Sequence, residues 1–213
     1  MPHRIIPART TSTEITVVNS RFIATAAPAF SIEAARAFIQ QIKEKYADAS
    51  HNVPAFIIGH GASITEHCSD DGEPEGTAGR PALAVLKGSG LGDVVVVITR
   101  YFGGTKLGTG GLVRAYSDAM RAVLEALPKA EKIATHTVGI EMPYKLYEQI
   151  KLLVEAQHGL ILDQDFAADV TIMAQFKQDD LPDFQTALQE LSRGGIQAEI
   201  LESNQNSIFP IKD

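Results

Sequence analysis

Six consecutive β-branched residues, Val94 to Thr99, lie between two glycine-rich, charged segments. Such a run offers no polar face to water, so it is expected to form a strand buried on both sides. Before it stands SDDGEPEGTAGRP (Ser69–Pro81), and after it TRYFGGTKLGTGGLVRAY (Thr99–Tyr116). More than half of the chain's 17 glycines fall between Ser69 and Tyr116. Fixing a glycine costs conformational entropy, so this density calls for turns at positive φ or for close approach of the backbone to something. The rest of the chain reads as scaffold; this stretch reads as a site.

The 213 residues suffice for one large or two small domains, with an ordinary 45% hydrophobic and 21% charged content. No apolar run approaches the ~20 residues that span a bilayer. The opening MPHRIIPART has no apolar signal-peptide core, and Cys68 is the only cysteine, so a cytoplasmic location is expected. Charge is uneven. Residues 1–129 hold 13 Lys and Arg against 12 Asp and Glu, or +1; residues 130–213 hold 6 against 14, or −8. A polyanion is therefore expected to meet only the first part.

Along the chain, residues 14–27 read as a hairpin or a bent strand pair about Asn19-Ser20. Ser31 caps a helix that carries Ile32, Phe38, Ile39 and Ile42 at helical spacing. Phe56–Ile58 reads as a short strand, and Ile64–Cys68 as its partner. Arg80-Pro81 opens a helix to Lys87, with Pro81 expected at the first helical position. A helix from about Gly111 to Leu127 carries Arg114–Asp118 and Arg121–Glu125 pairs on its outer side. Pro128 ends it. Beyond it the plan changes: strand 132–142, a helix from Pro143 that Gly159 ends at the C′ position, strands 160–166 and 170–176, a helix ending at Arg193-Gly194, and strand 196–201. Residues 203–213 read as a loosely held tail. The order βαββαβ is that of a ferredoxin-like domain. Two domains follow, 1–129 and 130–213, in an α+β chain.

In the second glycine loop, a buried strand runs into Arg100, a glycine turn, Lys106 and a helix start. Such N–H groups beside cations make an anion site. Neither a Walker loop nor a dinucleotide-binding pattern is present. Arg80, Arg100, Lys106, Arg114 and the backbone at Gly103, Gly104, Gly110 and Gly111 are the candidate phosphate or nucleic-acid contacts, with Tyr101 or Phe102 placed to stack a base. The alternative is tight packing, with the cations paired to the acidic loop. In that loop Asp70, Asp71 and Glu73 offer hard oxygen ligands that would suit Mg²⁺, though without EF-hand spacing. The alternative is that Asp70 and Asp71 bind loop amides and cap the next helix, while Glu73 and Glu75 face water. Cys68 and His67, adjacent on a strand, point to opposite faces and form no dyad. His51, His60 and His67 lack zinc-site spacing.

The segments Ser20–Ala24 (SRFIA), Ser69–Pro81 and Thr99–Tyr116 together resemble the signature of the IMPACT family, and the layout is similar to its bacterial two-domain branch. The resemblance implies a first domain of the βαβ kind shared by ribosomal-protein and ribonuclease PH superfamilies. It implies a second, ferredoxin-like domain similar to the last domain of elongation factor G. It also implies a translation-linked role, and it delivers no catalytic mechanism. One departure is His51-Asn52-Val53-Pro54, where the family usually has paired histidines and a cysteine.

The reading that results is a cytoplasmic translation-associated regulator, a binding module without a required cofactor. It binds RNA, the ribosome or a translation-related protein through the first domain. Two alternatives stand beside it: a Mg²⁺-dependent enzyme acting on a phosphorylated substrate or nucleic acid, and a scaffold that docks a basic partner on the acidic second domain.

Overall fold

The Val94–Thr99 run lies in a strand, Val94–Tyr101, at the middle of a five-stranded sheet. The structure is a computed structural model and describes residues 4–61 and 63–211. The chain forms two units. One takes the chain to Glu131 and takes back Pro210 and Ile211; the other spans Lys132–Phe209. The sequence reading put this division at residues 129 and 130.

The first unit contains β1 (Ile5–Pro7), β2 (Thr11–Val17), β3 (Ser20–Pro28), α1 (Ile32–Lys45), β4 (His51–His60), β5 (Ser63–Cys68), α2 (Gly79–Gly88), β6 (Val94–Tyr101) and α3 (Gly108–Ala126). The sheet order is β2-β3-β6-β4-β5. β3 and β4 are both antiparallel to β6 and therefore parallel to each other, so β3-α1-β4 is a βαβ unit with β6 inserted between its strands. Alternation along β6 explains its all-apolar sequence. Val94, Val96 and Ile98 face a core with Phe22, Leu86, Tyr116 and Met120. Val95 faces the opposite side, where Ala35 and Phe56 are buried. The hairpin β2–β3 turns at Val18 and Asn19, both at positive φ, and Ser31 Oγ accepts the N–H of Ala34 to cap α1.

Several expectations change. β4 is ten residues long and includes His51–Pro54, because Pro54 sits opposite Val97 and still offers its carbonyl to the Ser69 N–H. α2 begins at Gly79, which makes Pro81 its third residue. α3 begins at Gly108, three residues early, so Gly110 and Gly111 lie in its first turn. Asp118 is taken by Arg121 at 2.6 Å, and neither Arg114–Asp118 nor Arg121–Glu125 forms.

The second unit contains most of β7 (Lys129–Met142), then α4 (Tyr144–Ala156), β8 (Leu160–Phe166), β9 (Val170–Lys177), α5 (Leu181–Ser192) and β10 (Ala198–Pro210). Its strand order, β10-β7-β9-β8, is the ferredoxin-like order. Val138, Ile140, Ile172, Ala174 and Phe176 pack against Ile150, Val154, Phe184 and Leu188 of the helices. Residues 203–210 of the expected loose tail are instead the end of β10, and 212 and 213 lie outside the described residues. Thr135 Oγ1 and Ser207 Oγ lie 2.6 Å apart in a hydrogen bond, and Phe209 is buried. Its polar composition hid the strand, because its partners are polar too. Gly159 does not take the left-handed position after α4; His158 does, at φ 61°. Gly159 is needed for space, since a Cβ there would lie 2.6 Å from the Phe176 ring.

Candidate functional site

Asp70, Asp71 and Glu73, in the loop between β5 and α2, each have their own work. Asp70 Oδ1 and Oδ2 accept the N–H groups of Gly79 (2.8 Å), Ala78 (3.1 Å) and Gly76 (2.8 Å), so this side chain closes the loop and meets the first amides of α2. Burial pushes its carboxyl up, but those three N–H donors and the Arg80 charge outweigh burial and hold it below the usual carboxylate range. Asp71, at φ 47°, reaches the other way. It pairs with Lys43 of α1 and accepts the Asn52 N–H of β4 at 2.6 Å, while its carbonyl accepts the His51 Nδ1–H at 2.9 Å.

Glu73 points inward. Its Oε1 accepts from Arg100 Nη1 at 2.6 Å and from the Tyr116 hydroxyl at 2.7 Å, and its Oε2 lies 3.8 Å from His51 Nε2. Arg100 is on β6 and Tyr116 on α3, so one buried carboxylate ties the acidic loop to sheet and helix. The Arg100 side chain is only 6% exposed. Its Nη2 reaches Ser20 Oγ at 3.4 Å, and its guanidinium centre lies 5.5 Å from the ring centres of Phe22 and Phe102. Phe22 meets Tyr116 edge-on at 5.2 Å. Burial, then the bond to the Glu73 carboxylate, hold the Tyr116 phenol above its ordinary range.

The three carboxylates expected to suit Mg²⁺ therefore face three different sets of donors. Among the described residues no three His, Cys, Asp or Glu side chains form a group able to hold a metal. The oxygens are spent on backbone N–H groups, Lys43, Arg100 and Tyr116. The histidines are apart as well: His51 is at this network, His60 faces Asp93 at 3.7 Å, and His67 lies against Phe56. Burial raises the Cys68 thiol above its ordinary range, in keeping with an unreactive side chain.

The glycine loop is built differently. Gly103 N–H donates to Ser20 Oγ at 3.2 Å, and a Cβ there would lie 2.1 Å from the Asn19 carbonyl, so only glycine lets this loop press onto the β2–β3 turn. Gly104 and Gly108 take left-handed φ of 84° and 71°. α3 then starts with no side-chain cap and no acid in its first turn. Gly110 is exposed with open space where a Cβ would stand. Gly111 would bring a Cβ to 3.1 Å from that of Leu107. Arg114 follows Gly110 and Gly111 by four and three residues and shares their helix face. Lys106 and Arg114 are exposed and close no hydrogen bond or ion pair among the described residues.

The expected contact set thus separates. Arg100 is inside. The Tyr101 hydroxyl donates to Asp48 at 2.8 Å and its ring lies under Arg21 at 4.5 Å, while Phe102 is 49% exposed. Arg80 lines a groove between α2 and α3 with Val113 and Arg121. Lys106, Gly110, Gly111 and Arg114 stay together at the start of α3. The network partners Ser20, Lys43 and Tyr116 were not read as site residues. Tyr116 carried only a helical core pattern, and nothing in sequence spacing links Lys43 to Asp71.

No helix among the described residues is long and apolar enough to cross a membrane. Residues 18–124 match the Impact N-terminal domain, and residues 140–194 match a domain of unknown function, DUF1949. The chain is 34% identical over 199 residues to the IMPACT family member YigZ of Escherichia coli, covering 93% of this chain and 98% of that protein. It is 34% identical over 181 residues to the family member YvyE of Bacillus subtilis, covering 85% and 83%. A crystal structure described as that of a hypothetical protein aligns at a TM-score of 0.61 with 34% identity, over 95% of this chain and 98% of that one.

Proposed function

The chain belongs to the IMPACT family, and from that premise we propose that it is a translation-associated binding protein whose first unit docks on the phosphate backbone of RNA at the start of α3. One contrast carries the reading. Asp70 meets the first amides of α2, whereas α3 presents its opening N–H groups to no side chain, beside Lys106 and Arg114 without acidic partners. The N–H groups and the positive end of a 19-residue helix favour an anion there. Arg114 is about 9 Å along the axis from Gly108, and helical side chains lean toward the N-terminus, so it is on the helix face of Gly110 and Gly111. Exposed Phe102 gives a neighbouring base a ring to stack on. The family resemblance of the glycine loop supports the translation link, and the −8 of residues 130–213 leaves the first unit as the part suited to a polyanion.

The test is binding of single-stranded RNA and of ribosomes at low salt, comparing the native chain with Lys106→Ala/Arg114→Ala. The reading expects binding that falls steeply with salt and drops at least tenfold in the double variant. No binding at low salt, or equal binding by both proteins, overturns it.

A further inference from the structure

The sheet of the first unit ends in a strand with a bare edge. β5 pairs with β4 alone, and Ser63 to His67 are all exposed, Ile64 among them. The outer N–H and C=O groups of β5 therefore have no strand beside them. The edge strand β8 of the other sheet is built differently. It carries a bulge between Ile161 and Asp163, and Asp163 Oδ1 accepts the N–H of its neighbour Gln164 at 2.8 Å. Such devices keep an edge from pairing with another chain, whereas β5 runs against β4 in unbroken register and its acid, Glu66, is held by Lys87.

A groove flanks this edge on each face of the sheet. On the α1 side Ile32, Ile39 and Phe56 form an apolar floor beside Thr65 and His67. On the α2 side Ile57, Ile64 and Leu91 form another. Most charges in the two grooves are already paired: Lys43 with Asp71, Lys87 with Glu66, and His60 facing Asp93. Glu33, three residues before Arg36, engages its own N–H and the Ser31 hydroxyl ahead of the Arg36 charge. One guanidinium per groove is left over, Arg36 on the α1 side and Arg4 on the α2 side. Both are exposed and close no hydrogen bond or ion pair among the described residues. We propose that β5 receives an extended, acidic segment of a partner protein as a sixth strand of the sheet. Successive side chains of an added strand point to opposite faces, so the matching segment carries an apolar residue and an acid on each face. The apolar residues lie along the two floors, and the acids meet Arg36 and Arg4. Main-chain hydrogen bonds to β5 supply affinity, and the arginines select the sign of the charge.

The probe is a synthetic peptide repeating Val-Val-Glu-Glu, which as a strand alternates Val and Glu on each face. Hydrogen–deuterium exchange of the full chain at low salt reads main-chain protection at residues 63–68. The acidic peptide is expected to slow exchange there in a saturable way. Two further peptides are expected to leave it nearly unchanged. Val-Val-Lys-Lys repeats have the charge that the net −7 of the chain would favour, and Val-Pro-Glu-Glu repeats keep the acids but lose N–H donors. Arg4→Ala/Arg36→Ala is expected to weaken the acidic peptide about fivefold, because two exposed charge pairs are lost. Circular dichroism of the variant confirms that it is folded. No protection by the acidic peptide, equal protection by the basic or the proline peptide, or unchanged affinity in the variant would each overturn the proposal. So would protection that grows with protein concentration in the absence of peptide, since a second copy would then occupy the edge. Lys106 and Arg114 are untouched, so the RNA reading is tested separately.

Discussion

Glu73→Gln is the most informative single change in the first unit. It keeps the side-chain shape and removes the charge that faces Arg100 at 2.6 Å and accepts from Tyr116 at 2.7 Å. Arg100 is then left as a buried cation without a counter-charge, facing a neutral amide oxygen and, at 3.4 Å, Ser20 Oγ. Removing one member of a buried ion pair costs about 3–5 kcal/mol, because the survivor keeps its desolvation penalty. Adding Arg100→Met removes that orphaned charge, so the double variant is expected to lose less than the single one. Urea unfolding with hydrogen exchange read on residues 69–80 and 94–101 separates the first unit from the second. The expected result is a loss of about 3–5 kcal/mol in those segments for Glu73→Gln and a smaller loss for the double variant. A loss under about 1 kcal/mol, as for a solvated pair, would refute the view that this carboxylate locks the loop to sheet and helix.

Asp70 gives a pH signature. Its folded pKa is lowered, so its contribution is present above the unfolded value of about 3.9 and is lost as pH falls through the folded value. Asp70→Asn should therefore cost stability at pH 7 and much less at pH 2–3, read from urea midpoints; an equal cost at both would contradict the assignment. Tyr116 has the opposite sign. Its folded pKa is raised, so its contribution is intact below the unfolded value of about 10 and is lost as pH rises beyond it. Absorbance titration should show one tyrosine ionising only together with unfolding, and Tyr116→Phe should remove that phase. Two glycines separate packing from binding. Gly103→Ala drives a Cβ into the Asn19 carbonyl and should lower the melting temperature, whereas Gly110→Ala meets open space and should raise stability by about 0.5–1 kcal/mol while weakening RNA binding. Stronger or unchanged binding in Gly110→Ala would remove the glycine from the site.

What the sequence makes legible follows from how local each feature is. Val94–Thr99 declares a strand buried on both sides because six neighbouring residues say the same thing. Ser31 and Pro143 mark helix starts by chemistry that acts within one turn. The βαββαβ order is readable because apolar spacing changes from helical to alternating at each element. Long-range pairing is not readable in this way. Arg100 looks like a surface cation beside a glycine loop, and only the fold brings Glu73, 27 residues earlier, within 2.6 Å of it. The strand at 203–210 is illegible for a related reason: Thr135 and Ser207 satisfy one another across 72 residues, with no apolar alternation to announce them. Acids close in sequence are turned to three different sets of donors, and nothing in their spacing announces it. The open start of α3 was anticipated from glycine density and the flanking cations; its boundary at Gly108 was not, since glycine is a poor helix former and three of the first four residues are glycine.

The central claim is that the start of α3 holds an RNA phosphate backbone through Lys106 and Arg114. The most direct measurement is the slope of the logarithm of the RNA association constant against the logarithm of salt concentration, for the native chain and for Lys106→Ala/Arg114→Ala. Each phosphate contact contributes about 0.7 to that slope for single strands, so losing two should reduce it by about 1.4. An unchanged slope, with native and variant chains binding alike, would contradict the account.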